Sequence, residues 1–362
     1  MKKGILILFA LVMAASFAFA GGDGESGGGK PYIAVVSKGE QHDFWQQVRR
    51  GSVDAAKALN VDVTFEGPPT ESDVQIQVEM LNNAMAKNPV AIALAALNTT
   101  AVIDQLSELK SKGIPVVGFD SGVPEAPEGS IVANASTSNA AAAGLAAEEM
   151  FKVIKGKIEA ATEASPVKII SMSQDATGES NLSRGKGFRD KMIELIDSQS
   201  MLSMADIAVI GNPAYIAADG PKNGKKVIIE MVVPASADNT DAAAAVSAFL
   251  NKAAQDNLLG VFCSNESTAK GMLAATNDGA DLGSKYKIVV IGFDAGAGQK
   301  NAVRKKMFLG SITQDPYQIG YKAVELAFKA YKGESVSDVD TGAKFYTAAN
   351  MDDPAIAPLL YD

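Results

Sequence analysis

The chain is 362 residues long, carries 42 acidic against 33 basic side chains, and has a formal charge of −9 with one histidine and one cysteine. So acidic a protein repels phosphate backbones and anionic lipid, which excludes nucleic acid and a membrane surface as expected partners. One Cys and one His cannot build the usual nitrogen or sulfur sites for a transition metal, so no metal and no cofactor are expected; oxygen-only calcium binding stays open.

In chain order, the first segment is a leader. Lys2 and Lys3 precede an apolar run from Ile5 to Val12, and Ala18-Phe19-Ala20 follows, the pattern of a secretory signal peptide cleaved after Ala20. The apolar core is shorter than the about 20 residues a membrane-spanning helix needs. Residues 21–30 (GGDGESGGGK) form a flexible Gly/Ser tether, and no cysteine near the cleavage site offers a lipid attachment point. The expected product is exported, periplasmic and soluble. The rest is longer than the roughly 250–300 residues at which a single core stops growing, so two domains are expected.

From residue 31 short apolar runs alternate with amphipathic stretches. PYIAVVS (31–37) reads as a strand and FWQQVRRGSVDAAKAL (44–59) as a helix. VDVTFEG (61–67), a helix over 73–87, VAIALAAL (90–97), a helix over 101–113 stopped by Gly113, and IPVVGFD (114–120) repeat the unit. SIVANAS (130–136) and a helix over 140–156 open a second series: VKIISMS (167–173), a helix over 183–195, KVIIEMVV (226–233), and a helix over 242–255. LGVFCSN (259–265), a helix over 266–278 and YKIVVIGFD (286–294) complete it. This β-α-β-α order predicts an α/β fold of two Rossmann-like parallel-sheet lobes with helices on both faces. Residues 197–225 fit the rhythm poorly and read as an insertion. Cys263, among apolar neighbours, reads as a small buried hydrophobe.

Each series ends a late strand on the same phrase, IPVVGFDSG at 114–122 and IVVIGFDAG at 288–296. In open α/β sheets ligands bind beyond the carboxyl ends of the strands, so Asp120 and Asp294 stand in equivalent places and line one cleft if the lobes face each other. The trailing glycines are expected to permit tight turns near the ligand. An Asp after a strand is otherwise a common turn or N-cap residue, and the repetition favours the shared site. GAGQKN (296–301) begins like a dinucleotide fingerprint but lacks its third glycine.

The phrases VVS, FW, GIPVVGFD, SRGKGF, VFCSNE, VIGFD and ITQDPYQIGYKAVE, in this order, resemble the periplasmic sugar-binding proteins of the ribose-binding type. Their fold is shared with the ligand domains of LacI-like repressors. The resemblance covers residues 31 to about 345 except 197–225. It implies lobes of 31–137 plus 315–345 and 138–314 plus 346–362, joined by a three-segment hinge. It implies that Phe44 and Trp45 sandwich a sugar ring and that Asp120, Arg184, Asn265, Asp294 and Gln314 bind its hydroxyls, with Ser37, His42 and Thr137 beside them. Planar polar groups suit paired hydroxyls, and aromatic faces suit the C–H faces of a sugar. His42 stands where the family commonly has asparagine, and Ser121 where arginine often follows the aspartate.

The resemblance implies a monomeric, non-enzymatic binding protein that captures a monosaccharide or related polyol by hinge closure and delivers it to an ABC importer permease. Two alternatives stand beside this reading: a ligand sensor for a membrane chemoreceptor, and an enzyme hydrolysing a glycosidic bond with Asp120 and Asp294.

Overall fold

The computed structural model describes residues 29–40 and 42–361; the expected leader, most of the tether and Gln41 lie outside the described residues. From Pro31 onward the described residues form one unit. No described helix is long and apolar enough to cross a membrane.

The first lobe is laid down by β1 (Tyr32–Val36), α1 (Asp43–Leu59), β2 (Asp62–Glu66), α2 (Val74–Ala86), β3 (Ala91–Leu94), α3 (Ile103–Ser111), β4 (Val116–Phe119) and β5 (Ile131–Ser136). The second follows with α4 (Asn139–Glu159), β6 (Val167–Met172), α5 (Glu179–Gln199), β7 (Ile207–Gly211), β8 (Val227–Val232), α6 (Asn239–Leu250) and β9 (Leu258–Cys263). It continues through α7 (Glu266–Ala274), β10 (Val289–Phe293), α8 (Ala297–Arg304) and β11 (Gly310–Gln314). α9 (Pro316–Tyr331), β12 (Val339–Asp340) and β13 (Ala343–Tyr346) close the chain. The sheets are ordered β12-β5-β4-β3-β1-β2 and β13-β11-β10-β9-β6-β8-β7, parallel throughout except for β13 on β11. β3, β4 and β9 are buried at every residue, as a parallel sheet covered on both faces requires.

The chain passes between the sheets after β5, after β11 and between β12 and β13. Residues 315–345 were expected in the first lobe, yet Ala343–Tyr346 pair antiparallel with β11 of the second sheet. Asp340 still pairs with Ser136, so the third crossing falls near Thr341 and Gly342. Gly342 takes φ +78, a left-handed turn that glycine adopts without a Cβ penalty.

α9 returns to the first lobe against α1. A Cβ on Gly51 would meet the Tyr317 carbonyl, and one on Gly320 would meet the Val48 carbonyl, so the helices touch backbone to backbone. Residues 197–225 are less foreign to the fold than expected. They hold the last turn of α5, a 3-10 turn at Met204–Asp206, and β7, which adds a parallel edge strand beside β8.

Candidate functional site

The site is built where strands of both sheets end. The backbone N–H of Asp120 donates to Ala135 O at 3.1 Å, and that of Asp294 to Ile312 O at 2.6 Å, each extending the ladder to the neighbouring strand. Both aspartates then take left-handed backbone, φ +55 and +79. Aspartate tolerates this region better than most residues, although it costs on the order of 1–2 kcal/mol. The expected tight turns thus fall on the aspartates; Gly296 has φ −62, and Gly122 is not among the positive-φ glycines. Gly296 serves a different end, because a Cβ there would lie 2.8 Å from Glu266 Oε1.

Asp294 is buried and held from two sides: Gln314 Nε2 donates to its Oδ1 at 2.6 Å and the Glu266 backbone N–H to its Oδ2 at 3.1 Å. Burial pushes its pKa up to about 6, with Glu266 and Asp120 adding to the effect while Arg184 and Gln314 oppose it. Arg184 lies 3.9 Å above the Phe293 ring, donates from Nε to Asn139 Oδ1 at 2.8 Å and from NH1 to Ser264 O at 3.2 Å. These contacts fix the plane of the guanidinium and leave NH2 4.0 Å from Asp120 Oδ1. α5 begins at Glu179, ahead of the expected 183, so Arg184 lies in its second turn, past the main reach of the helix dipole, and its buried charge is supported by two carboxylates and an aromatic face.

Three residues absent from the sequence expectation complete the charge cluster. Lys38, at the end of β1, reaches Asp120 Oδ2 at 3.1 Å and Ser180 Oγ on α5 at 3.0 Å, so its ammonium spans both lobes. Glu71 accepts from Trp45 Nε1 at 2.7 Å and from Gln174 Nε2 at 2.9 Å, again one partner from each lobe. Burial works against its charge, but Lys38, His42 and these two hydrogen bonds outweigh it and hold the carboxyl below its ordinary pKa. Glu266, the first residue of α7, faces His42 Nδ1 at 3.8 Å and Lys270 Nζ at 2.5 Å. Burial opposes ionisation of Glu266, yet His42 and Lys270 keep its pKa lowered; His42 itself is buried against its charge and raised by Glu266 and Glu71.

The expected residues Phe44, Trp45, His42, Asp120, Arg184, Asn265, Asp294 and Gln314 all line one cavity with Lys38, Glu71, Asn181 and Glu266. Ser37 and Thr137 are not brought to it. The Ser37 hydroxyl donates to Gly39 O and Glu66 O, while Thr137 sits at the first crossing with its hydroxyl toward Gly342 O at 3.4 Å. Nor do Phe44 and Trp45 sandwich a ring between them: they meet edge to face, 4.9 Å apart at 89°. Asn265 divides its amide. Oδ1 caps α7 by accepting from Thr268 N at 3.0 Å, and Nδ2 donates to Gln174 Oε1.

The cavity has a free volume of about 20 Å³. The lobes are closed on each other through polar contacts: besides the Lys38 and Glu71 bridges, Ser180 N donates to Ser121 Oγ at 3.3 Å and Thr99 N to Thr177 O at 3.1 Å. A ligand larger than water therefore takes the place of contacts between side chains instead of filling a void. A roomier hollow of about 410 Å³ is walled mainly by the 122–131 loop and lacks this charge cluster. Among the described residues no group of three or more His, Cys, Asp or Glu could hold a metal ion. Cys263 is buried, and burial pushes its thiol pKa far up.

Comparison with known proteins adds the family. The model of the periplasmic binding protein domain matches residues 33–335. The D-allose-binding periplasmic protein of Escherichia coli (strain K12) is 24% identical over 312 residues, covering 86% of this chain and 88% of that one. A solved structure from Brachyspira murdochii, described as "ABC transporter, LacI family transcriptional regulator", is 40% identical with a TM-score of 0.76. It covers 92% of this chain and 99% of its own. An ABC transporter solute-binding protein from Agrobacterium vitis with bound D-fucose is 29% identical with a TM-score of 0.72, covering 91% and 100%.

Proposed function

This chain belongs to the periplasmic binding protein domain family, and we propose that it captures a monosaccharide or related polyol between its lobes and delivers it to an ABC importer. The observation that carries this reading is the meeting of Asp120 and Asp294, strand-end carboxylates of two separate sheets, with Arg184 in one buried cavity. Charged groups held in fixed planes can accept from and donate to adjacent hydroxyls, and the faces of Phe44 and Trp45 offer apolar contact from one side. The relatives with D-allose and D-fucose in their descriptions support the ligand class.

The three crossings support a hinge mechanism. Opening about them separates Lys38 from Ser180 and Glu71 from Gln174, exposing charged groups that water then solvates. A sugar that bonds Asp120 and Lys38 on one side, and Arg184, Asp294 and Gln314 on the other, favours the closed form by its differential affinity for that form. A permease that reads only the closed surface then receives loaded protein. The leader pattern supports export, and the crossings support hinge closure; both belong to this proposal. The raised pKa of Asp294 is a feature that a glycosidase acid would share. Its cause is burial and neighbouring carboxylates, which a binding site produces equally, and the curated relative is a binding protein. Incubation with aryl glycosides discriminates the two: stoichiometric binding without product is expected, and turnover would overturn the binding-protein reading.

A further inference from the structure

Four hydrogen bonds cross the cleft on one short segment of the second lobe, residues 174–180. Gln174 Nε2 donates to Glu71, Thr177 O accepts from Thr99 N, and Ser180 accepts from Lys38 at Oγ and donates from its N–H to Ser121 Oγ. A Cβ on Gly178 would stand 3.3 Å from Leu97 O, so the two backbones also come close here. The segment runs without regular structure until α5 begins at Glu179, and Asp175 sets its shape. Asp175 Oδ1 accepts from Thr177 N at 2.9 Å and from Gly178 N at 2.7 Å, and Oδ2 accepts from Asn181 Nδ2 at 2.6 Å. The Asp175 carbonyl is held from elsewhere in the chain: Tyr215 donates its O–H to it at 2.5 Å.

Tyr215 comes from residues 197–225, the stretch that fits the rhythm of the sequence poorly. β7 runs parallel to β8, so its carboxyl end lies on the side of the sheet that carries the cleft. Beyond it Asn212 N donates to Met231 O at 2.9 Å, and Asn212 Oδ1 caps a 3-10 turn, Pro213–Tyr215, by accepting from Ala214 N at 3.0 Å. Tyr215 leaves this turn fully buried. A Cβ on Gly185 would meet its ring, so α5 is seated on Tyr215 one residue from Arg184, and Arg189 NH1 donates to the Tyr215 carbonyl. The ring thereby places α5, and the hydroxyl holds the segment ahead of it. We propose that Tyr215 is a positioning residue for ligand capture, keeping residues 174–180 in the shape that meets the first lobe. The inference rests on the capture reading and gives the 197–225 stretch its part in it. A segment already shaped while the lobes are apart loses little freedom on closing. Released from Tyr215 it must be ordered at that moment, and the closed form that holds the ligand is populated less.

The test is calorimetric titration of the full mature protein and of Tyr215→Phe, which keeps the ring and loses the hydroxyl, with D-allose, D-fucose and the other neutral pentoses and hexoses. Urea unfolding of both proteins runs beside it. The sugar that the wild type binds should bind the folded Tyr215→Phe about ten-fold more weakly. A tyrosine with only a structural role would lower stability alone, so equal affinity in the two folded proteins overturns the proposal and leaves sugar capture standing. In a Gln174→Ala background, where the bridge to Glu71 is already gone, the same substitution should cost a smaller factor in affinity. An undiminished factor there overturns action through the segment. Asn212→Ala loosens the turn that carries Tyr215 without touching the cleft, and it should weaken binding in the same direction. Unchanged affinity in Asn212→Ala decides against the proposal where Tyr215→Phe does not fold. Failure of the wild type to bind any of these sugars overturns both this inference and the capture reading.

Discussion

Replacing Asp294 by asparagine should stabilise the unliganded protein while weakening ligand capture. The carboxyl ionises near 3.8 in an unfolded chain and near 6 in this buried place, so the folded state binds its proton more tightly. Folding gains from this group below pH 3.8, and the gain is lost as pH rises through 6. The two values differ by about two pH units, and at about 1.4 kcal/mol per unit the buried charge costs about 3 kcal/mol at neutral pH. Asparagine removes that cost and fits the surrounding bonds: Oδ1 accepts from Glu266 N, and a turned Gln314 amide can offer its unpartnered Oε1 to the new N–H. Urea unfolding at pH 4.0 and pH 7.5 reads the difference. Asp294→Asn should be more stable than the wild type by about 2–3 kcal/mol at pH 7.5 and by well under 1 kcal/mol at pH 4.0. An advantage that does not grow with pH would refute the assignment of a strained, buried charge to this residue.

Lys38→Met leaves Asp120 without its ammonium partner and removes the bond to Ser180 across the cleft. Ligand affinity should drop by about 2–5 kcal/mol, read by calorimetry, while far-ultraviolet dichroism stays unchanged. Trp45→Phe removes the indole donor to the buried Glu71 carboxylate and should lower stability by about 1.5–3 kcal/mol in urea titration, with Glu71→Gln suppressing most of that difference. Gly320→Ala forces a methyl group against the Val48 carbonyl, and the thermal midpoint should fall for a cost of about 1–3 kcal/mol; an unchanged midpoint would contradict backbone contact between α1 and α9.

Much of this architecture was legible because parallel strands buried on both faces must be written as apolar runs, and the helices between them as amphipathic ones. The repeated Gly-Phe-Asp phrase marked both strand ends, and the SRGKGF phrase marked Arg184, although α5 starts at Glu179 and not at 183. Lys38, Glu71 and Glu266 were missed because each is a single charged residue in a loop or cap, where exposure is the ordinary outcome. Their signal was positional: Lys38 follows β1 by two residues, Glu71 lies in the turn after β2, and Glu266 sits beside Asn265. Reading every residue beyond a strand's carboxyl end, rather than the repeated phrase alone, would have found them. Ser37 satisfies that rule too, but its short side chain bonds to local carbonyls. β7 escaped because a five-residue strand ending in glycine, returned to the sheet by a connection without an α-helix, leaves little periodicity to read. The third crossing was misjudged because residues 343–346 form a strand of only four residues, too short for its pattern to name a partner sheet.

Asp120, Asp294 and Arg184 together should form one ligand cleft. Calorimetric titration of the wild type and of Asp294→Ala with the sugar that gives the largest thermal shift tests it most directly. The wild type should bind one-to-one with a dissociation constant around micromolar, equivalent to about −8 kcal/mol, and a folded Asp294→Ala should give no detectable heat. Equal affinity in the two proteins would contradict it.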